Sequence, residues 1–373
     1  MSALHEKQIG PTMTAITVMV PSQSDFIGAH CTSSGWSQML SRREKCSMRI
    51  KLSLVLSIVA AMACTDAGAA EMRVTLLGTG TPTPRLGSFS ASTLIEAGPE
   101  RLIFDLGRGS TIRLFQKKIP LGSITAHFIT HLHSDHVVGL PDMWLTGWLG
   151  TPFGSRKSPM VIFGPKGTVA MTENLTKAFS EDIRIRMDDE DLPPEGVVFD
   201  AKDIEPGPVY EKNGVKVTAI EVNHGEKIKP SFGYTIEFDG KKVVLSGDTK
   251  PDERVAKAAA GADLLIHEVA VIEPELSKSY PSYRAIEDHH TLPEDAGKIF
   301  SSAKPTLAVY SHIVFATVEP VQDVPEQALV ARTRTTYQGP LIVGRDLMSF
   351  VISDHVEAFA ADGNPVKPLA AAQ

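Results

Sequence analysis

An α/β fold is predicted by two features of the 373-residue chain. From Met72 onward short β-rich runs alternate with stretches of helical period, and many of the strands arrive as consecutive hairpins rather than as single strand-helix-strand steps. With 42% hydrophobic and 22% charged residues, the composition is that of a globular protein and argues against a disordered or fibrous chain. In order, strands are expected at 73–77, 92–96, 102–105, 126–130, 160–163, 215–222, 232–238, 242–246, 263–266 and 306–310. Helices are expected at 110–118, 138–147, 168–179, 253–260, 293–302 and 325–335. The clearest hairpin spans 234–246, where Asp239-Gly240 supplies the two positive-φ residues a tight turn requires. The acidic, proline-bearing stretch 188–195 (DDEDLPPE) reads as an exposed loop.

The first seventy residues differ from the rest. Met48-Arg49-Ile50-Lys51 places a basic start before the apolar run 52–63, and Ala67-Gly68-Ala69 follows with small residues at alternate positions. That order is expected of a secretory signal peptide ending near Ala69 or Ala70, and the apolar run is too short to span a bilayer. A periplasmic or secreted protein is the resulting expectation, with a lipoprotein formed through Cys64 as a competing detail. Residues 1–47 show no sustained periodicity and are expected to be an extension upstream of the natural start or a disordered segment. Cleavage after residue 70 takes six of the 37 cations and four of the 44 anions, moving the formal charge from −7 to −9. It also removes all three cysteines, Cys31, Cys46 and Cys64, so the remaining chain could occupy an oxidising compartment without disulfides. An acidic balance lacks the general basic character that polyanion binding usually brings. The domain reading is therefore an extension (1–47), a signal peptide (48–70), one main domain (71–360) and a flexible tail (361–373).

The chemistry concentrates in one stretch. An apolar strand runs into His131-Leu132-His133-Ser134-Asp135-His136, and Gly139 and a helical run follow. In extended backbone His131 and His133 share a face, while the turn can aim Asp135 and His136 elsewhere. One short segment thus offers ligands to two adjacent metals rather than four to one. Imidazole and carboxylate without thiolate suit Zn²⁺, with Mn²⁺ or Fe²⁺ also compatible in ligand type. Further donors follow β-like runs: His224, Asp248 in Ser-Gly-Asp-Thr, and His312 in Tyr-Ser-His.

These motifs, in content and in order, resemble the metallo-β-lactamase superfamily in its branch of ribonuclease Z, phosphodiesterases and arylsulfatases. The resemblance spans about 74–312: LLGTGTPTP, LIFDLG with Asp105, THLHSDHVVGL, EVNHG, SGDT, LLIHEV, HHTLPEDAG and VYSH. It implies a four-layer αββα sandwich with the site at the strand ends. It implies two Zn²⁺, one on His131, His133 and His224, the other on Asp135, His136 and His312, with Asp248 bridging. Asp105 is implied to support the site without binding metal. Two-metal chemistry then implies attack by a water or hydroxide held between the ions, with Asp135 orienting it or taking its proton. His290 is implied to serve the leaving group with Glu268 as partner, unless His289 takes that role or both histidines only cap the helix after Pro293.

The resulting expectation is an exported dinuclear hydrolase cleaving a small phosphodiester or aryl sulfate ester. The alternatives are a ribonuclease Z-like tRNA 3′ processing endonuclease, a lactonase, or a metal-binding protein without activity. Against tRNA stand the export signal, the acidic balance and the 23 residues between His224 and Asp248, which leave no room for a long basic arm. The expected partner is therefore a small ester rather than nucleic acid, with no stable membrane span and, by analogy with related enzymes, a homodimer. Trp144 and Trp148 share a helical face, either walling a pocket for an aryl leaving group or packing the helix on the sandwich.

Overall fold

The computed structural model describes residues 71–316 and 326–369. The expected extension, the signal peptide with Cys64, and residues 370–373 lie outside them. Alternation of apolar side chains along the strands dictates the layering. In the strand β10 (Lys241–Leu245), Val243 and Leu245 enter one apolar cluster and Val244 enters another. The strands β11 (Leu264–Ile272) and β12 (Leu307–Ala316) repeat this split with Leu264 and Ile266 against Leu265, and with Leu307 and Val309 against Ala308. A strand apolar on both faces must be covered on both faces.

The chain therefore builds two sheets, helices covering the outer face of each. The first follows the order β16-β15-β14-β1-β2-β3-β4-β5-β6. Its strands are β1 (Met72–Gly78), β2 (Ser92–Ala97), β3 (Glu100–Phe104), β4 (Ala126–Phe128), β5 (Met160–Gly164), β6 (Phe199–Asp203), β14 (Ser349–Ile352), β15 (Val356–Phe359) and β16 (Pro365–Val366). The second runs β13-β12-β11-β10-β9-β8-β7, adding β7 (Gly207–Lys212), β8 (Val215–Glu221), β9 (Phe232–Phe238) and β13 (Leu341–Val343). Between the sheets lie Val74, Leu76, Phe104, Phe128, Val217, Tyr234, Val309 and Phe350, all buried. Each such aliphatic side chain contributes roughly 1.5–3 kcal/mol by leaving water.

Outside the first sheet pack α1 (Ser110–Gln116) and α3 (Leu140–Trp148), which follows the short α2 (Ser134–Val137). The helices α4 (Thr168–Ala178) and α5 (Ser180–Glu190) lie on the same side, meeting that cluster through Met171, Leu175 and Ile183. Outside the second sheet lie α6 (Glu253–Ala258), α9 (Pro293–Ala303) and α10 (Glu326–Arg334). In α9 the buried Ala296, Ile299, Phe300 and Ala303 fall at i, i+3, i+4 and i+7, so one stripe faces the sheet. Two further short helices, α7 (Pro274–Ser279) and α8 (Pro281–Glu287), sit beyond the end of β11. This is the expected α/β sandwich of four layers, αββα.

Beyond elements that the sequence did not suggest at all, such as β6, β7, β13 to β15, α2, α7 and α8, three differences from expectation stand out. Residues 188–190 of the supposed loop end α5, whose charged side chains pair one turn apart: Arg184 with Glu181 and Asp188, Arg186 with Asp182 and Glu190. Only after Asp191, in the left-handed conformation, do Pro193 and Pro194 keep the chain from continuing. The stretch beyond residue 360, expected to fray, carries β16, and the Leu369 amide donates to Leu341 O at 2.8 Å. Its backbone groups have partners, which the polar composition of the segment does not reveal. Finally, β11 and β12 run on past the lengths expected from their apolar runs, and this extension shapes the site.

Candidate metal centre

Strands β3, β4 and β5 of one sheet, and β10 to β13 of the other, run parallel. The C-terminal ends of β3, β4 and β10 converge on one place. After β4 the chain turns through 129–133 into α2, with His133 at the N-cap. His131, Asp135 and His136 are buried there. Gly139 lets this turn approach the end of β3, since a Cβ on it would meet Gly107 O at 2.4 Å. Asp105, just past β3, ties the loop down: it accepts from Thr130 N at 2.8 Å, from Thr130 Oγ1 at 2.9 Å and from His136 Nδ1 at 2.7 Å. Asp105 thus stands behind the histidines, fixing which His136 nitrogen faces forward, the usual arrangement around metal-bound imidazole. Thr130, which the sequence analysis passed over, is the link. A hydroxyl directly before the first histidine was the available signal.

The second sheet supplies the remaining donors. His224 follows β8, and its Nδ1 donates to His289 O at 2.9 Å. Asp248 follows β10 after Gly247, whose φ of 60° and Cβ position 2.2 Å from Phe232 O leave room for no side chain. Where β11 pairs with β12, His267 faces Tyr310 and Val269 faces Ile313, so the two residues Ser311 and His312 oppose the single Glu268. This bulge puts His312 in the left-handed region at φ 46° and turns both Glu268 and His312 to the site from within continuous strands rather than from strand ends.

The sequence-predicted donors meet. His131 Nε2 lies 2.9 Å from His133 Nδ1, which lies 3.3 Å from His224 Nε2. Three ring nitrogens this close fit a common cation; ligands about 2.0 Å from one tetrahedral ion stand roughly 3.3 Å apart. Asp135, His136 and His312 form a second cluster, His312 Nε2 lying 3.2 Å and His136 Nε2 3.6 Å from Asp135 Oδ2. Asp248 Oδ2 is common to both, at 3.3 Å from His136 and His312 and 3.9 Å from His131 and His224. The buried His136 Nε2 makes no hydrogen bond. An orphaned donor or acceptor in that position fits a missing ligand.

Electrostatics agree. Burial lowers the His131, His133 and His224 imidazoles, the last to about 4, so they stay neutral and able to bind metal. Burial also opposes a charge on His136, yet Asp248 and Asp105 outweigh it and raise this group well above its ordinary range. Asp248 is held well below the usual carboxylate range: burial resists this, and the facing His312 and His136 prevail. A potential that draws a proton onto His136 would equally draw a cation.

Beside this cluster Glu268 Oε2 bonds His290 Nδ1 at 3.1 Å, while Oε1 accepts from Thr291 N at 2.9 Å. The His290 ring stacks on His312 with centroids 5.6 Å apart. Desolvation lowers His290, but Glu268 reverses this and lifts it to about 9. His289 instead holds His224 through its carbonyl, and the geometry gives the pairing with Glu268 to His290. Trp144 and Trp148 do not reach the site. Both are fully buried on the outer face of the first sheet, their indole N–H groups donating to Val197 O and Pro193 O at 2.8 Å each. They pack the helix.

Known proteins resemble this chain in sequence and in fold. Residues 72–296 match the family model described as anti-Pycsar protein Apyc1. Ribonuclease Z of Mycobacterium bovis is 34% identical over 281 residues, covering 74% of this chain and 96% of that protein. The chain belongs to the metallo-β-lactamase superfamily, in its ribonuclease Z and phosphodiesterase branch. Ribonuclease Z of Mycolicibacterium gilvum is 36% identical over 281 residues, 74% of this chain and 94% of that protein. Among solved structures, the metallo-β-lactamase fold protein YhfI of Bacillus subtilis superposes with a TM-score of 0.58 at 17% identity, over 76% of this chain and all of that one. The short form of human tRNase Z gives 0.54 at 22%, over 75% and 98%. Members of this superfamily are metal-binding hydrolases. The preference for a small ester over nucleic acid finds no support in relatives named as ribonucleases, and neither do the aryl sulfate and the lactone.

Proposed function

We propose that this superfamily member is a dinuclear metal-dependent phosphodiesterase, with an RNA phosphodiester as the substrate class its sequence relatives support best. The observation that carries the two-metal reading is Asp248 Oδ2, placed within 3.9 Å of imidazoles from both donor clusters. In this reading His131, His133 and His224 would hold one ion and Asp135, His136 and His312 the other, with Asp248 available to both. Zinc suits the nitrogen-rich donor set, and manganese or iron would be accepted by the same atoms. Divalent ions held there would neutralise charge on the phosphate oxygens and acidify water.

The chain's own groups do the rest. Asp135, facing His312 and His136, orients the attacking water and accepts its proton. His290, protonated at neutral pH through Glu268, gives a proton to the departing alkoxide.

A second reading, an exported enzyme acting on a small phosphodiester, is favoured by the signal-like segment 48–70 and the formal −9 balance that follows its removal. The short interval between His224 and Asp248 supports it too, being filled by the loop 225–231 and the hairpin of β9 and β10. A hydrolysis panel on the zinc- or manganese-loaded full chain separates the two: a precursor tRNA, an aryl phosphodiester, an aryl sulfate and a lactone. Cleavage of the tRNA that is lost on chelation is the expected result. Turnover of the aryl phosphodiester alone would favour the small substrate. Turnover of only the sulfate or the lactone would overturn the phosphodiesterase reading.

A further inference from the structure

Among the buried carboxylates outside the donor set, Asp346 is one whose neighbours reach back to a donor. Asp346, in the turn after β13, accepts five hydrogen bonds. Thr79 N and Oγ1 donate to Oδ1 at 2.9 Å each, Phe89 N to Oδ2 at 2.8 Å, and Arg113 Nε and Nη2 to Oδ2 at 3.1 and 2.7 Å. These partners come from the loop after β1 and from α1, more than 230 positions away in sequence. The Arg113 guanidinium lies 4.1 Å from the Phe89 ring centre, which closes the cluster. A paired, fully bonded buried charge is costly to break and fixes its neighbours in one arrangement.

That arrangement brackets the bulge that presents His312. On one side the Ile313 amide donates to Thr79 O at 3.0 Å, and on the other the Gly344 amide donates to Tyr310 O at 2.9 Å. Thr79 is bonded directly to Asp346, and Gly344 precedes it by two residues. His312 itself holds a left-handed backbone, which a residue with a Cβ keeps only when its surroundings over-determine it. We propose that Asp346, clamped by Arg113, is the positioning residue for His312: it anchors both flanks of the bulge and so sets the geometry of the donor cluster of Asp135, His136 and His312. The proposal rests on the two-metal reading above. The bonds of Asp346 go to Thr79, Phe89 and Arg113 and to none of the donors. His131 and His224 are anchored elsewhere, through Thr130 and the His289 carbonyl, so the effect is confined to one of the two sites.

The test is a zinc titration of the metal-free full chain against a chromophoric chelator, which resolves stepwise affinities without any activity measurement. The unaltered chain takes up two equivalents. Asp346→Asn keeps the first at its original affinity and binds the second at least tenfold more weakly. Arg113→Met weakens the same step in the same direction, and Arg113→Lys, which retains the cation, recovers most of it; this pair keeps the proposal testable should Asp346→Asn not fold. Equal loss at both steps, or unchanged affinities in Asp346→Asn and Arg113→Met, would overturn the positioning role. An unaltered chain binding fewer than two equivalents would remove the two-metal reading and this proposal together.

Discussion

The two halves of the proposed metal centre are built in opposite ways. The first sheet delivers His131, His133, Asp135 and His136 from six consecutive residues, on a turn fastened from behind by one carboxylate, Asp105. The second sheet delivers His224, Asp248 and His312 from three separate strands, and His312 requires a bulge and a left-handed backbone to point inward. A contiguous loop carries its geometry in its own spacing. A dispersed set depends on register between strands and on tethers distant in sequence, so it should be the half that substitutions away from the donors disturb most.

Replacing the residue common to both halves should do the greatest damage. Asp248→Ala is expected to lower turnover by at least the ~10²–10³-fold that loss of one transition-state-stabilising group costs, measured as kcat on an RNA or aryl phosphodiester substrate. An unchanged rate would dissolve the two halves into unrelated clusters. Next in size is Glu268→Gln, on the dispersed side, expected to lower activity by ~10–100-fold as for other groups that orient a site from behind. The same variant has a signature in the metal-free protein. His290 is raised from its ordinary value near 6.5 to about 9 in the folded chain, so its pairing with Glu268 stabilises the fold fully below about pH 6.5. That stabilisation is lost as pH rises through about 9. Denaturation of the chelated protein at pH 6.5 and 9.5 should therefore show a larger drop for the unaltered chain than for Glu268→Gln.

Much of this contrast was visible before the fold was known. The histidine-rich turn, the Asp-Gly hairpin and most strand positions follow from local spacing and turn chemistry. His224, Asp248 and His312 could be assigned only because their motifs occur in a recognisable order, since each alone is an ordinary residue at the end of an apolar run. The bulge at Ser311-His312 was illegible for a physical reason: it is a property of two strands paired across more than forty residues, and neither strand encodes it alone. The acidic helix α5 was hidden because its support is charge pairing one turn apart rather than an apolar stripe. The C-terminal strands were hidden because β14 finds its partner in β1, at the other end of the domain.

Two smaller effects sharpen the comparison from outside the donor set. Trp144→Phe leaves Val197 O without its donor and should destabilise the fold by about 1–3 kcal/mol in chemical denaturation. Zinc affinity should not change, because the contiguous loop does not depend on that face of α3. Asp252 caps α6 through Arg254 N at 2.9 Å and also receives Asn223 N at 3.1 Å, next to His224. Asp252→Ala should lower stability by about 1 kcal/mol, and, being on the dispersed side, should also weaken zinc measurably at the first step. Burial opposes ionisation of this carboxylate, but Arg254 holds it below its ordinary range, so its contribution is present above that range and fades as pH falls.

The most direct test of the central claim is the rate of phosphodiester cleavage by the metal-free full chain as zinc is returned in known equivalents. The two-metal account predicts little activity up to one equivalent, a rise to full rate as the second is filled, and complete loss on renewed chelation. Full rate in the presence of excess chelator, or a plateau reached at a single equivalent, would contradict it.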